Sequence, residues 1–215
     1  MQYEIKTIDD ILNHANQIIE KVENDPMNFE MVIINSSLLS SKDHIPANCI
    51  GGSSATMKLL DLLTEAQRNC YERGIRGCGS HSHLRLMKEF TPNDTDIFIL
   101  NCKKESRTKY HDMDVVHKTS KTIEEFLQHV DLPPSQVVYT MINQQAVFYT
   151  TYHCLYSLLT GKYFLPEYLE TADVLRKDTH INFWKRVDKY QRRGFDYRSI
   201  ETAIRLTWLD KQLYY

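Results

Sequence analysis

The sequence predicts an α+β protein: a small mixed or antiparallel sheet flanked by helices, with a C-terminal helical lobe. Three observations carry that expectation. Apolar residues recur at helical spacing between Ile8 and Val22 and again after Gly51-Gly52, several β-prone runs lie between Thr95 and Tyr149, and helical spacing returns beyond Thr150. At 215 residues and 25.3 kDa the chain is the size of one domain with a real core. The pattern divides it into an α+β part, 1–150, and a helical lobe, 151–215, packed on it.

Taken in order, Ile8, Ile11, Leu12, Ala15, Ile18, Ile19 and Val22 mark a first helix that stops before Pro26. Phe29 to Ile34 reads as a strand and Ser36 to Pro46 as a polar loop. Gly51-Gly52-Ser53-Ser54 then opens a second helix carrying Ala55, Leu59, Leu60, Leu62, Leu63 and Ala66, which should end near Gly74. The stretch from Gly74 to Asn93 holds three glycines and Pro92 and reads mostly as loop. Thr95 to Leu100 and Met113 to Val116 are dense in apolar, β-prone residues, as buried strands are, and the charged segment from Asn101 to Tyr110 reads as the surface connection between them. Thr122-Ile123-Glu124-Glu125 has the form of a capping box and starts a short helix that Asp131-Leu132-Pro133-Pro134 ends. Two runs, Gln136 to Met141 and Ala146 to Tyr149, joined through Asn143-Gln144-Gln145, predict a hairpin. The last third should be an all-helical cap: Tyr152 to Thr160 stopped by Gly161, a helix around Phe183, Val187 and Tyr190 closed by Gly194, and a final one carrying Ile200, Ile204, Leu206 and Leu209.

Composition narrows the function classes. Hydrophobic residues at 42% and charged residues at 25% exclude a disordered or fibrous chain. A net charge of −2 gives no global basic field, so nucleic-acid binding would rest on a local patch, for which Lys185, Arg186, Lys189, Arg192 and Arg193 are the candidates; a solvated helix face is the commoner use of such residues. The apolar runs fall far short of the roughly 20 residues of a membrane helix. No secretory signal is visible, and the odd, scattered set of five cysteines suits free thiols in a reducing compartment, cytoplasmic or nuclear. Cys70, Cys78, His81 and His83 form an irregular set that could ligate zinc, with free thiols and surface histidines as the plainer reading. No nucleophile motif of the hydrolase kind is present.

The informative feature is Asp94-Thr95-Asp96-Ile97-Phe98. On a strand Asp94 and Asp96 share one side, where like charges repel unless a cation or strong donors sit between them. A divalent cation such as Mg²⁺ or Mn²⁺ meets that need, taking carboxylates together with phosphate oxygens. Alternatively, Asp94 caps the preceding turn and Asp96 protects a sheet edge from pairing. If the strand from Met113 pairs beside the first, Asp114 completes a cluster of carboxylates, with Asp112 on the same side as the competing choice. Upstream, Gly51-Gly52-Ser53 can bring backbone and hydroxyl donors close to phosphate where a helix dipole favours an anion.

In that order, Gly51-Gly52-Ser53, Asp94-Thr95-Asp96-Ile97-Phe98 and Asp114 within Met113-Asp114-Val115-Val116 resemble the three motifs of the nucleotidyltransferase superfamily with the DNA polymerase β-like palm. A narrower likeness, through the stretch from Phe126 to Val137, Leu159-Thr160-Gly161-Lys162-Tyr163 and Lys189-Tyr190-Gln191-Arg192-Arg193-Gly194-Phe195, is to nucleotidyltransferase-like proteins of large DNA viruses. The resemblance implies that Asp94, Asp96 and Asp114 hold Mg²⁺ (or Mn²⁺) and act catalytically. It implies further that Gly51, Gly52 and Ser53 bind the phosphates of a nucleoside triphosphate, and that a nucleotidyl group passes to an acceptor hydroxyl on a nucleic acid or protein. Gly79-Ser80 competes with Gly52-Ser53 for the phosphate turn, and Asp112 and Asp131 compete with Asp114, although Asp131 also reads as the start of the Pro-Pro turn. A catalytically idle member that binds nucleotide or a partner is the alternative the same motifs allow.

Overall fold

The computed structural model describes residues 4–35, 48–72, 86, 90–92, 95–165 and 177–199; the side chains of Cys70 and of 177–181 lie outside that description. The chain is α+β, with a mixed sheet flanked by helices. Its seven strands are β1 (Met31–Ile34), β2 (Cys49–Gly51), β3 (Thr95–Ile99), β4 (Ser106–Tyr110), β5 (Met113–His117), β6 (Val137–Ile142) and β7 (Gln145–Thr151), in the order β1-β7-β6-β2-β3-β5-β4. Every neighbouring pair is antiparallel except β3 and β5.

Alternation along the strands splits the interior in two. One face of the sheet sends Val32, Ile34, Val137 and Phe148 into a core shared with the helices α1 (Ile8–Asn13), α2 (Ala15–Asn24), α3 (Gly52–Glu72), α5 (Tyr152–Thr160) and α6 (Lys177–Arg192). The other sends Cys49, Val138, Val147, Tyr149 and Phe98 against Ile123, Phe126 and Leu127 of α4 (Ile123–Gln128). Phe98 and Phe126 meet with ring centroids 4.6 Å apart. The first core runs from Ile5 to Phe195, so residues on both sides of position 150 contribute to it.

Most expected elements are present; β2 is a strand the sequence does not predict, and four further details differ. The single helix expected from Ile8 is two: Thr7 and Asp10 form a reciprocal capping box, but His14 leaves the helical region (φ −114, ψ 21) and its ring Nδ1 bonds the Asp10 carbonyl at 2.9 Å, breaking the rod. The charged connection contains β4, an edge strand whose residues are all exposed. The hairpin turn is shorter than expected, with Gln145 already in β7 and Asn143 and Gln144 both at positive φ (48 and 65). The expected all-helical cap also holds strands: after Gly161 closes α5 at φ 71, β8 (Lys162–Leu165) pairs in parallel with β9 (Asp196–Ser199). Gly194, at φ 92, closes α6 as expected, whereas the helix expected from Ile200 onward lies outside the described residues.

Candidate functional site

The site is built by three adjacent strands and one helix start. β2 ends at Gly51, and α3 begins at Gly52 in the left-handed region, φ 61. Antiparallel pairing sets Gly51 opposite Asp96, and parallel pairing of β3 with β5 sets Asp96 opposite Asp114. Partners at the same level of neighbouring strands point to the same side, so the carboxylates of Asp96 and Asp114 stand side by side on the α4 face of the sheet. A Cβ on Gly52 would lie 2.8 Å from Asp96 Oδ2, so the absence of a side chain there lets the carboxylate approach the start of α3. The helix dipole at that end favours its negative charge. Gly51 is tight for a different reason, since its Cβ would fall 2.5 Å from Phe98 Cε2.

Clustered carboxylates need a cation or strong donors beside them, and for Asp96 and Asp114 the fold places one from the charged segment between β3 and β5. Arg107, on β4, donates a hydrogen bond from Nη2 to Asp114 Oδ2, and the same nitrogen lies 3.6 Å from Asp96 Oδ1. Lys109, two residues on and directly opposite Asp114, adds a second positive charge to that side of β4. The exposures differ: the Arg107 side chain is 61% exposed, that of Asp96 22% and that of Asp114 4%. The Arg107 hydrogen bond holds the Asp114 carboxyl below its ordinary value against the opposing effect of burial, and the charges of Arg107 and Lys109 act in the same direction. The signal that could have revealed β4 is the alternation Ser106-Arg107-Thr108-Lys109-Tyr110, ending in a tight turn where His111 adopts φ 52.

Of the other expected site residues, Asp94 lies outside the described residues, as do Gly79, Ser80, Cys78, His81 and His83. Ser53 is in the first turn of α3 but buried, at 5% exposure, while Ser54 Oγ sits 3.4 Å from Thr95 Oγ1 on the opposite side of β3 from Asp96. Asp112 is exposed in the β4–β5 turn, where its backbone carbonyl accepts the Thr95 N–H at 3.0 Å. Asp131 pairs instead with Arg186 of α6.

The basic set on and after α6 is partly committed to structure. Besides Arg186, the Arg193 guanidinium lies 4.3 Å from the Phe90 ring centroid and 5.3 Å from that of Tyr190. Lys185 and Arg192 stand exposed. The thiols of Cys49, Cys102 and Cys154 are free, and burial pushes those of Cys49 and Cys154 up to about 12, leaving them inert.

Asp96 and Asp114 offer hard oxygen donors at one place, the kind of donor set Mg²⁺ takes when phosphate and water complete its shell. Among the described residues no group of three or more His, Cys, Asp or Glu side chains is placed to hold a metal ion, and no helix is long and apolar enough to cross a membrane. No protein-family model matches the chain, and neither a curated protein nor a solved structure shows significant similarity to it.

Proposed function

We propose that the protein is a nucleotidyltransferase that moves a nucleoside monophosphate from a nucleoside triphosphate to an acceptor hydroxyl. The observation that carries this reading is the register that brings Gly51, Asp96 and Asp114 to one level of three neighbouring strands, with Gly52 and the start of α3 against the Asp96 carboxylate. Asp96 and Asp114 would hold the divalent cation, together with Asp94 of the sequence motif, which lies outside the described residues. When bound, that cation neutralises phosphate charge and eases deprotonation of the attacking hydroxyl. The Gly51-Gly52 turn lets backbone come close to phosphate, and the dipole of α3 favours an anion at its start. Ser53 is itself buried, so its hydroxyl has little access to a bound phosphate.

The test is incubation of the purified protein with ATP, GTP, CTP or UTP and Mg²⁺ or Mn²⁺, alone and with mixed RNA or protein acceptors. Pyrophosphate release is expected, and Asp96→Ala and Asp114→Ala should each reduce it to background. Release that survives both substitutions would rule the site out. One observation favours a second reading, a catalytically idle nucleotide-binding or partner-binding protein: Arg107 already pairs with both carboxylates. That reading expects no release from any triphosphate.

A further inference from the structure

A cation that keeps two carboxylates apart can be permanent or exchangeable, and the exposures around Arg107 distinguish the two. In a permanent buried pair both partners are withdrawn from water, because an exposed partner gains little from the contact. Here the acid is covered and the base is not: the Asp114 side chain is 4% exposed, while Arg107 is 61% exposed on the edge strand β4. A long side chain on a sheet edge can swing into solvent without disturbing the sheet, whereas Asp114 is fixed between β3 and β4. The guanidinium also occupies the space a metal would need, hydrogen-bonded to one carboxylate and 3.6 Å from the other. It cannot vacate that place by losing a proton, since arginine stays charged at any pH the fold survives.

We propose that Arg107 is a place-holding counter-ion whose displacement is required for a divalent cation to reach Asp96 and Asp114, so that Arg107 sets the metal affinity of the site. The inference rests on the reading of those two aspartates as metal ligands. Arg107 is then a positioning residue: it keeps the two carboxylates converged while no metal is bound, and it weakens metal binding by the repulsion and the competition that its removal would end. Lys109, facing Asp114 from the same strand, adds repulsion without reaching both acids.

The experiment is titration of metal-stripped full-length protein with Mn²⁺ alone, following free Mn²⁺ by electron paramagnetic resonance. Wild type, Arg107→Gln, Arg107→Lys and the double variant Arg107→Gln with Asp114→Asn are compared, each checked for folding by circular dichroism. Arg107→Gln should bind Mn²⁺ about tenfold more tightly than wild type or better, the effect of removing one like charge at close range. Arg107→Lys, which keeps the charge but loses the fork that spans both acids, should fall between them. The double variant should lose the gain. A merely structural role for Arg107 would weaken binding in the variants. Equal affinity in wild type and Arg107→Gln, with binding lost in the double variant, would overturn the place-holder and leave the carboxylate reading standing. No binding in any folded variant would overturn both. Should Arg107→Gln fail to fold, Arg107→Lys decides: affinity no greater than wild type overturns the proposal.

Discussion

Gly52→Ala probes the close approach on which the site depends. Its cost has two parts. An L-residue held in the left-handed region, here at φ 61, loses about 1–2 kcal/mol relative to glycine. The second part is contact, because the new Cβ would sit 2.8 Å from Asp96 Oδ2. The carboxylate can turn aside, but doing so disturbs its pairing with Arg107 at 3.6 Å, and contacting residues of this kind couple by about 0.5 kcal/mol or more. A total near 2 kcal/mol lowers Tm by about 4–8 °C in a domain of this size. Urea and thermal unfolding of wild type, Gly52→Ala, Asp96→Ala and the double variant separate the parts. With the carboxylate gone, Gly52→Ala should cost only the backbone share, so the double variant is more stable than the sum of the single effects. A Gly52→Ala loss under about 0.5 kcal/mol would refute the backbone strain. An equal loss in both backgrounds would refute the approach of Asp96 to the helix start.

Two further outcomes follow from features away from the site. His153 is buried with Nε2 at 2.9 Å from the Pro26 carbonyl, which it reaches as the donor, and burial lowers its pKa below the ordinary 6.5, against the raising effects of that bond and of Asp25. As pH falls below about 6.5 the unfolded chain takes up a proton that the folded chain refuses, so stability declines toward pH 5 by at most about 1.4 kcal/mol per pH unit from this group. Unfolding curves of His153→Gln, which keeps a donor but cannot titrate, should be flatter over that range; an unchanged slope would sink the assignment. In the β6–β7 turn, Gln144 holds φ 65 beside Asn143 at φ 48, the positions where Asn-Gly is preferred. Gln144→Gly should therefore raise stability by about 0.5 kcal/mol or more in a urea titration, and any loss would count against the turn.

Some of this protein was written locally and could be read locally. The helix from Gly52 and its glycine turn, the short helix capped by Thr122, the stop at Gly161 and the β6–β7 hairpin are decided by neighbours within a few residues, through caps, turn conformations and apolar period. Asp96 and Asp114 could be placed on strands for the same reason. Pairing could not be read this way. That β5 lies parallel beside β3, while the intervening β4 turns outward to the edge, is settled by which strands bury their apolar sides together, and this set Asp96 level with Asp114. The same arrangement turned Arg107 from a residue of a charged connection into the partner of both acids, and a separate long-range contact pairs Asp131 with Arg186. Period and capping are properties of consecutive residues, whereas a meeting of charges from separate strands exists only once the long-range pairings have closed.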